Sequence, residues 1–184
     1  MRSQLASAVR DAFSLHMKHE FPQFALVEPT GTLQGGLLYR WKCASDLTCY
    51  IYLQISAKDY QDSFMVEMSC SAGEFPINLV AFGPSDIREG CVRFRLPELY
   101  REEWGHKSRR VPWWWIGPPV VPQNVTTKAV ERAAAGKRPL TDEGIPIEQA
   151  LPLVGPQVQD AIDRIKRFGI PFLQQFAKNR AGKT

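Results

Sequence analysis

The stretch Leu47-Thr48-Cys49-Tyr50-Ile51-Tyr52-Leu53-Gln54-Ile55-Ser56 decides the fold class. Leu47, Cys49, Ile51, Leu53 and Ile55 alternate with Thr48, Tyr50, Tyr52, Gln54 and Ser56, and a period of two puts the sets on opposite faces of an extended chain. The pattern predicts a strand with one buried face. Residues 37 to 43 precede it across Ala44-Ser45-Asp46, a connection short enough for a hairpin. After the polar stretch 58 to 62, Phe64, Val66, Met68 and Cys70 alternate with Met65, Glu67, Ser69 and Ser71, which makes a third strand of an antiparallel meander. Residues 77 to 82 offer a fourth extended piece. Residues 91 to 96 offer a clearer one, with Val92, Phe94 and Leu96 opposite Cys91, Arg93 and Arg95.

Helices flank these strands. Leu5, Ala8, Val9, Ala12, Phe13, His16 and Met17 recur every three or four positions, one stripe of a helix that Phe21-Pro22 ends. Gly155-Pro156 has the form of a helix start with proline at its first position, and Val158, Ala161, Ile162, Ile165 and Phe168 follow at helical spacing. Gly169 and Pro171 are expected to break or kink that helix before Phe172, Leu173 and Phe176. The expected fold is α+β: an antiparallel sheet of four to six strands with the N- and C-terminal helices packed on one face. Residues 97 to 123 are rich in Pro and Trp, and Pro118, Pro119 and Pro122 are expected to exclude regular helix there, whereas residues 127 to 135 could form a short one. Residues 124 to 150 hold few large apolar side chains and read as a flexible insertion or connection, with first proteolysis near Lys137-Arg138.

The chain's 184 residues allow about one domain. A hydrophobic fraction of 44% and a charged fraction of 23% exclude a disordered or fibrous chain. The net charge of +4 is mild, and the excess lies in residues 101 to 184, with fourteen bases against eight acids. Six of those bases follow Asp163, where a helix C-terminus already favours cations. No apolar run approaches the roughly 20 residues of a membrane span, and no secretory signal is legible, so a cytoplasmic location is expected. Cys43, Cys49, Cys70 and Cys91 contain no C-x-x-C pair and are expected as thiols, Cys49 and Cys70 acting as small buried hydrophobes.

The common catalytic arrangements are missing: no G-x-S-x-G elbow, no H-E-x-x-H, and no G-x-G-x-x-G after a strand. Ala135-Gly136-Lys137-Arg138 lacks the first glycine and the final hydroxyl of a phosphate loop. With three histidines in all, and no third ligand to join His16 and Glu20 one helical turn apart, no metal site and no cofactor are expected. The unusual feature is Trp113-Trp114-Trp115 after Arg109 and Arg110. Extended geometry turns Trp114 opposite to its neighbours, so at least one indole should enter the core. Arg93, Arg95, Arg109, Arg110, Trp113, Trp114 and Trp115 are the candidate binding residues, as an anchor for a protein partner. Arg93, Arg95 and Trp114 could instead stack on nucleic acid, or their stems could simply pack on one another.

Gly90-Cys91-Val92-Arg93-Phe94-Arg95-Leu96, the tryptophans at 113 to 115, and Gly169-Ile170-Pro171-Phe172-Leu173 near the end resemble a bacterial family catalogued only as a domain of unknown function. Strands like Leu37-Leu38-Tyr39-Arg40-Trp41 and Ile51-Tyr52-Leu53-Gln54-Ile55-Ser56 recur in that family in the same order, between a leading and a closing helix. The resemblance implies an intracellular α+β domain without an established activity, of the kind that serves in interaction or immunity-type roles, and it carries over no catalytic residue. The expected function is non-enzymatic binding of a protein partner, without specific nucleic-acid or membrane binding and with no oligomeric state implied. The alternatives are an enzyme whose site is assembled from scattered residues, or weak nucleic-acid binding through Arg93, Arg95 and Trp114.

Overall fold

The computed structural model describes residues 3–27, 35–56, 62–75, 84–85, 87–88, 90–104, 113–116 and 147–181. Residues 77 to 82, 127 to 135 and Lys137-Arg138, for which expectations were given, lie outside them. Helix α1 (Ser3–Glu20) buries Leu5, Ala8, Val9, Phe13 and Met17, the stripe its spacing predicts. Its end is fixed by the Phe21 amide donating to the Met17 carbonyl at 3.0 Å, with Phe21 itself buried.

Among the described residues seven antiparallel strands follow: β1 (Ala25–Val27), β2 (Leu37–Ala44), β3 (Leu47–Ile55), β4 (Ser63–Ser71), β5 (Ile87–Arg88), β6 (Cys91–Arg95) and β7 (Trp114–Trp115). The sheet order is β1-β2-β3-β4-β6-β5, and β7 also pairs with β4. β2 and β3 form a hairpin whose register shifts between Lys42 and Ala44, leaving Cys43 as the extra residue of a bulge. Gly90, at φ 76°, turns the chain between β5 and β6, a conformation that glycine adopts without penalty.

The core face of the sheet carries Ile51, Leu53, Phe64, Val66, Met68, Val92 and Phe94, all fully buried. Against it pack α1, α2 (Ile147–Arg164) and α3 (Ile170–Ala181). The fold is α+β, with N- and C-terminal helices on one face of a mostly antiparallel sheet, as expected. The opposite face is not left to solvent. Tyr50, Tyr52 and Ser56 are buried there, because the chain after β4 returns over it: Tyr50 donates to the Gly73 carbonyl at 2.7 Å, and both tyrosine rings meet the Phe75 edge. β4 is therefore buried along both faces.

One proline expectation needs correction. α2 does not begin at Gly155-Pro156. It starts at Ile147 and runs through Pro152 and Pro156, so residues 147 to 150 of the expected flexible connection are its first turn. Both prolines are exposed, four positions apart, while Ala150, Val154, Val158, Ala161 and Ile162 form an unbroken buried stripe. The amide missing from Pro156 leaves the Pro152 carbonyl free for water to solvate, and burial of the other side holds the helix together. At Gly169 and Pro171, where a break or kink is expected, the α-helical pattern is interrupted by a π segment (Ile165–Gly169) in which the Ile170 amide bonds the Ile165 carbonyl, and it resumes as α3. The wider turn accommodates Pro171 without ending the helix. No helix among the described residues is long and apolar enough to cross a membrane.

Candidate functional site

Contrary to the expectation of no helix over residues 97 to 123, a 3₁₀ segment (Leu96–Trp104), kinked at Tyr100 and well before Pro118, follows β6 and faces the outer edge of α2, while β7 closes the space between them. β7 lies in register with the start of β4, Trp114 opposite Phe64 and Trp115 opposite Ser63. Trp114 thereby turns to the core face and stacks on the Phe64 ring at 5.5 Å, with 9° between planes. Trp115 turns outward and remains 43% exposed. The Trp114 indole Nε1–H donates to Asp160 Oδ2 at 2.8 Å. Asp160 also accepts from Arg164 Nε at 3.0 and 2.9 Å, and Arg164 Nη1 reaches Glu103 Oε2 at 2.8 Å.

These groups border a cleft of about 200 Å³ lined by Pro97, Tyr100, Glu103, Trp113, Trp114, Asp160 and Arg164. The Arg164 guanidinium lies 4.3 Å over the Tyr100 ring. Burial raises the Tyr100 hydroxyl well above the ordinary tyrosine range, with the Arg164 charge opposing. For Arg164 burial works downward, but hydrogen bonds from its guanidinium to Asp160 and Glu103 override it and raise the group. Both carboxylates are thus engaged by a cation that stays charged. The cleft offers aromatic walls and a fixed ionic rim, which suits recognition of a shape and a charge better than proton transfer.

The sequence-predicted residues fall in separate places. Trp113 and Trp114 share the cleft. Arg93 and Arg95 lie on the opposite sheet face, directed at Glu67, so the structure does not bring them to Trp114. Arg93 Nη2 and Nε donate to Glu67 Oε2 at 2.5 and 3.0 Å, and Arg95 Nε lies 3.6 Å from Oε1. Glu67 is only 4% exposed. A carboxylate there is tolerable because two guanidiniums accompany it. Arg109 and Arg110 lie outside the described residues. Asp160, Arg164, Glu103 and Tyr100 were missed, since Asp160 stands 46 positions from Trp114 with no local signal linking them.

The cysteines also depart from expectation. β3 and β4 pair with Cys49 directly opposite Cys70, Cα atoms 4.2 Å apart, and the two form a disulfide rather than a pair of thiols. Cys43 and Cys91 take no part in that disulfide and are partly exposed. Cys43 Sγ stands 3.1 Å from Cys49 Sγ and 3.4 Å from the Leu47 carbonyl. The three sulfurs of Cys43, Cys49 and Cys70 lie within 4.8 Å of one another, a spacing that would let three reduced thiolates grip one soft metal ion. In the disulfide state only Cys43 keeps a thiol. Burial raises that thiol, and backbone hydrogen bonds oppose the rise.

No family model, curated protein or solved structure matches the chain.

Proposed function

We propose that this chain is a non-enzymatic binding module that seats one basic side chain of a bacterial protein partner in the cleft between the 3₁₀ segment, β7 and α2. The observation that carries this is the cleft itself. Its volume of about 200 Å³ falls below the roughly 300 to 1,000 Å³ of small-molecule sites but has room for a single anchoring side chain. Its walls are indole, phenol and proline, of which the indole and phenol are side chains that dominate interface energetics. The lining holds Glu103 and Asp160 against Arg164, and Arg167 offsets the remaining charge from beside Glu103, so a basic side chain is favoured by cation–π contact with the aromatic walls and by packing of its aliphatic stem rather than by net charge. Against nucleic acid stands the pairing of the C-terminal bases: Arg164 and Arg167 with Glu103, Lys166 with Glu20, and Arg180 with Asp46. Cytoplasmic residence belongs to the same proposal.

Affinity capture from the native host, with and without nuclease, tests it. A protein retained by the native chain after nuclease treatment, and released by Trp113→Ala, is the expected result. Capture that vanishes with nuclease, or is indifferent to Trp113→Ala in a folded variant, refutes it. The scattered-residue alternative has one observation in its favour, the juxtaposition of Cys43, Cys49 and Cys70.

A further inference from the structure

We propose that Cys43, Cys49 and Cys70 form a thiol–disulfide relay, in which Cys43 passes oxidising equivalents between the buried Cys49–Cys70 bond and a small thiol in solution. Cys49 and Cys70 are both 0% exposed, so no outside thiol reaches their bond directly in the folded chain. Cys43 touches Cys49 at 3.1 Å, and it is partly exposed. It is the extra residue of the β2 bulge, a device that re-aims a side chain out of regular register.

The chemistry closes without a missing reactant. Cys43 gives up its proton and its thiolate attacks Cys49 Sγ, so the Cys43–Cys49 bond forms as the Cys49–Cys70 bond breaks, and the proton ends on Cys70. A low-molecular-weight thiol then attacks Cys43 Sγ, releasing Cys49 as a thiol and leaving a mixed disulfide on Cys43. A second such thiol resolves it. The sum is two small thiols oxidised to their disulfide and one protein disulfide reduced to two thiols. Run in reverse, the same steps oxidise the protein.

Glutathione is the probe, and the full chain is the substrate. Reduction by glutathione, followed by rapid alkylation and mass measurement, should be at least ten-fold slower in Cys43→Ser than in the native chain, while Cys91→Ser leaves the rate unchanged. Thermal melts establish that both variants are folded. Should Cys43→Ser fail to fold, the native chain decides alone: after reduction and exposure to oxidised glutathione, peptide mapping should find the glutathione adduct on Cys43. Equal rates in Cys43→Ser, or an adduct on Cys49 or Cys70, overturn the relay. It is equally overturned if oxidised glutathione fails to produce the Cys49–Cys70 bond. Co-purified zinc or copper whose removal is needed before the three thiols alkylate would overturn it in favour of a metal site.

Discussion

Replacing Gly169 with alanine sets two opposing effects against each other. In an ordinary helix interior the change stabilises by about 0.5 to 1 kcal/mol, because glycine loses more backbone freedom on folding. Here Gly169 is buried where the π segment crosses β4. A Cβ at that position would press on the Met68 sulfur, stand 2.8 Å from the Met68 methyl and 3.3 Å from Leu96 Cδ1. A thioether can move, but Met68 and Leu96 are both fully buried, so any shift displaces other core atoms. Overpacking of this kind costs about 1 to 3 kcal/mol. The net expectation for Gly169→Ala is destabilisation by about 1 to 2 kcal/mol. In a Met68→Ala background only the milder Leu96 contact remains, and the same change should be neutral or stabilise by up to about 1 kcal/mol, a coupling of about 1 to 3 kcal/mol across the cycle. Urea unfolding of the four proteins, at constant m, measures it. A stabilising Gly169→Ala in both backgrounds would refute the idea that close helix–sheet approach excludes a side chain here.

Glu67→Ala should cost about 3 to 5 kcal/mol by leaving Arg93 poorly compensated, whereas Glu67→Leu combined with Arg93→Leu should be far milder; denaturant midpoints distinguish the two. Burial raises Glu98, with the Arg95 amide opposing, so the folded state holds that proton to higher pH and loses stability as pH rises from the ordinary glutamate range through the folded pKa. Glu98→Gln should therefore be more stable than the native chain at neutral pH and no different below about pH 4, as read from melts across that range. Tyr39, Tyr50, Tyr52 and Tyr100 are all raised, chiefly by burial, so stability should fall once pH passes about 10, with tyrosinate absorbance and loss of structure rising together. Independent tyrosine titration in a chain that stays folded would contradict their burial.

What the sequence discloses is what repeats locally. The alternation of Leu47 to Ile55 and the helical spacing from Leu5 to Met17 each fix a buried face, because a strand or helix exposes its period to inspection. Coverage of the other sheet face depends on Phe75 folding back on Tyr50 and Tyr52, a contact with no period to betray it. Pro156 has the form of a helix start until its exposure, with that of Pro152, on the outer side of α2 is known. Trp113 and Trp114 were legible as unusual residues, but the cleft they line also needs Asp160 and Arg164 from a helix far along the chain. Cys49 and Cys70 required the strand register, which composition does not contain.

The packing of α1 against α2 has a consequence for how the protein is made. About 140 residues separate the middles of these helices, so at roughly 5 to 20 residues per second a ribosome delivers α2 about 7 to 30 s after α1. During that interval Leu5, Val9, Phe13 and Met17 are without the neighbour that shields them, although the β2–β3–β4 meander can already assemble. The apolar stripe of α1 is thus the surface a holding chaperone would be expected to shield in that interval, and the ion pair between Glu20 and Lys166 forms only after α2 has been translated.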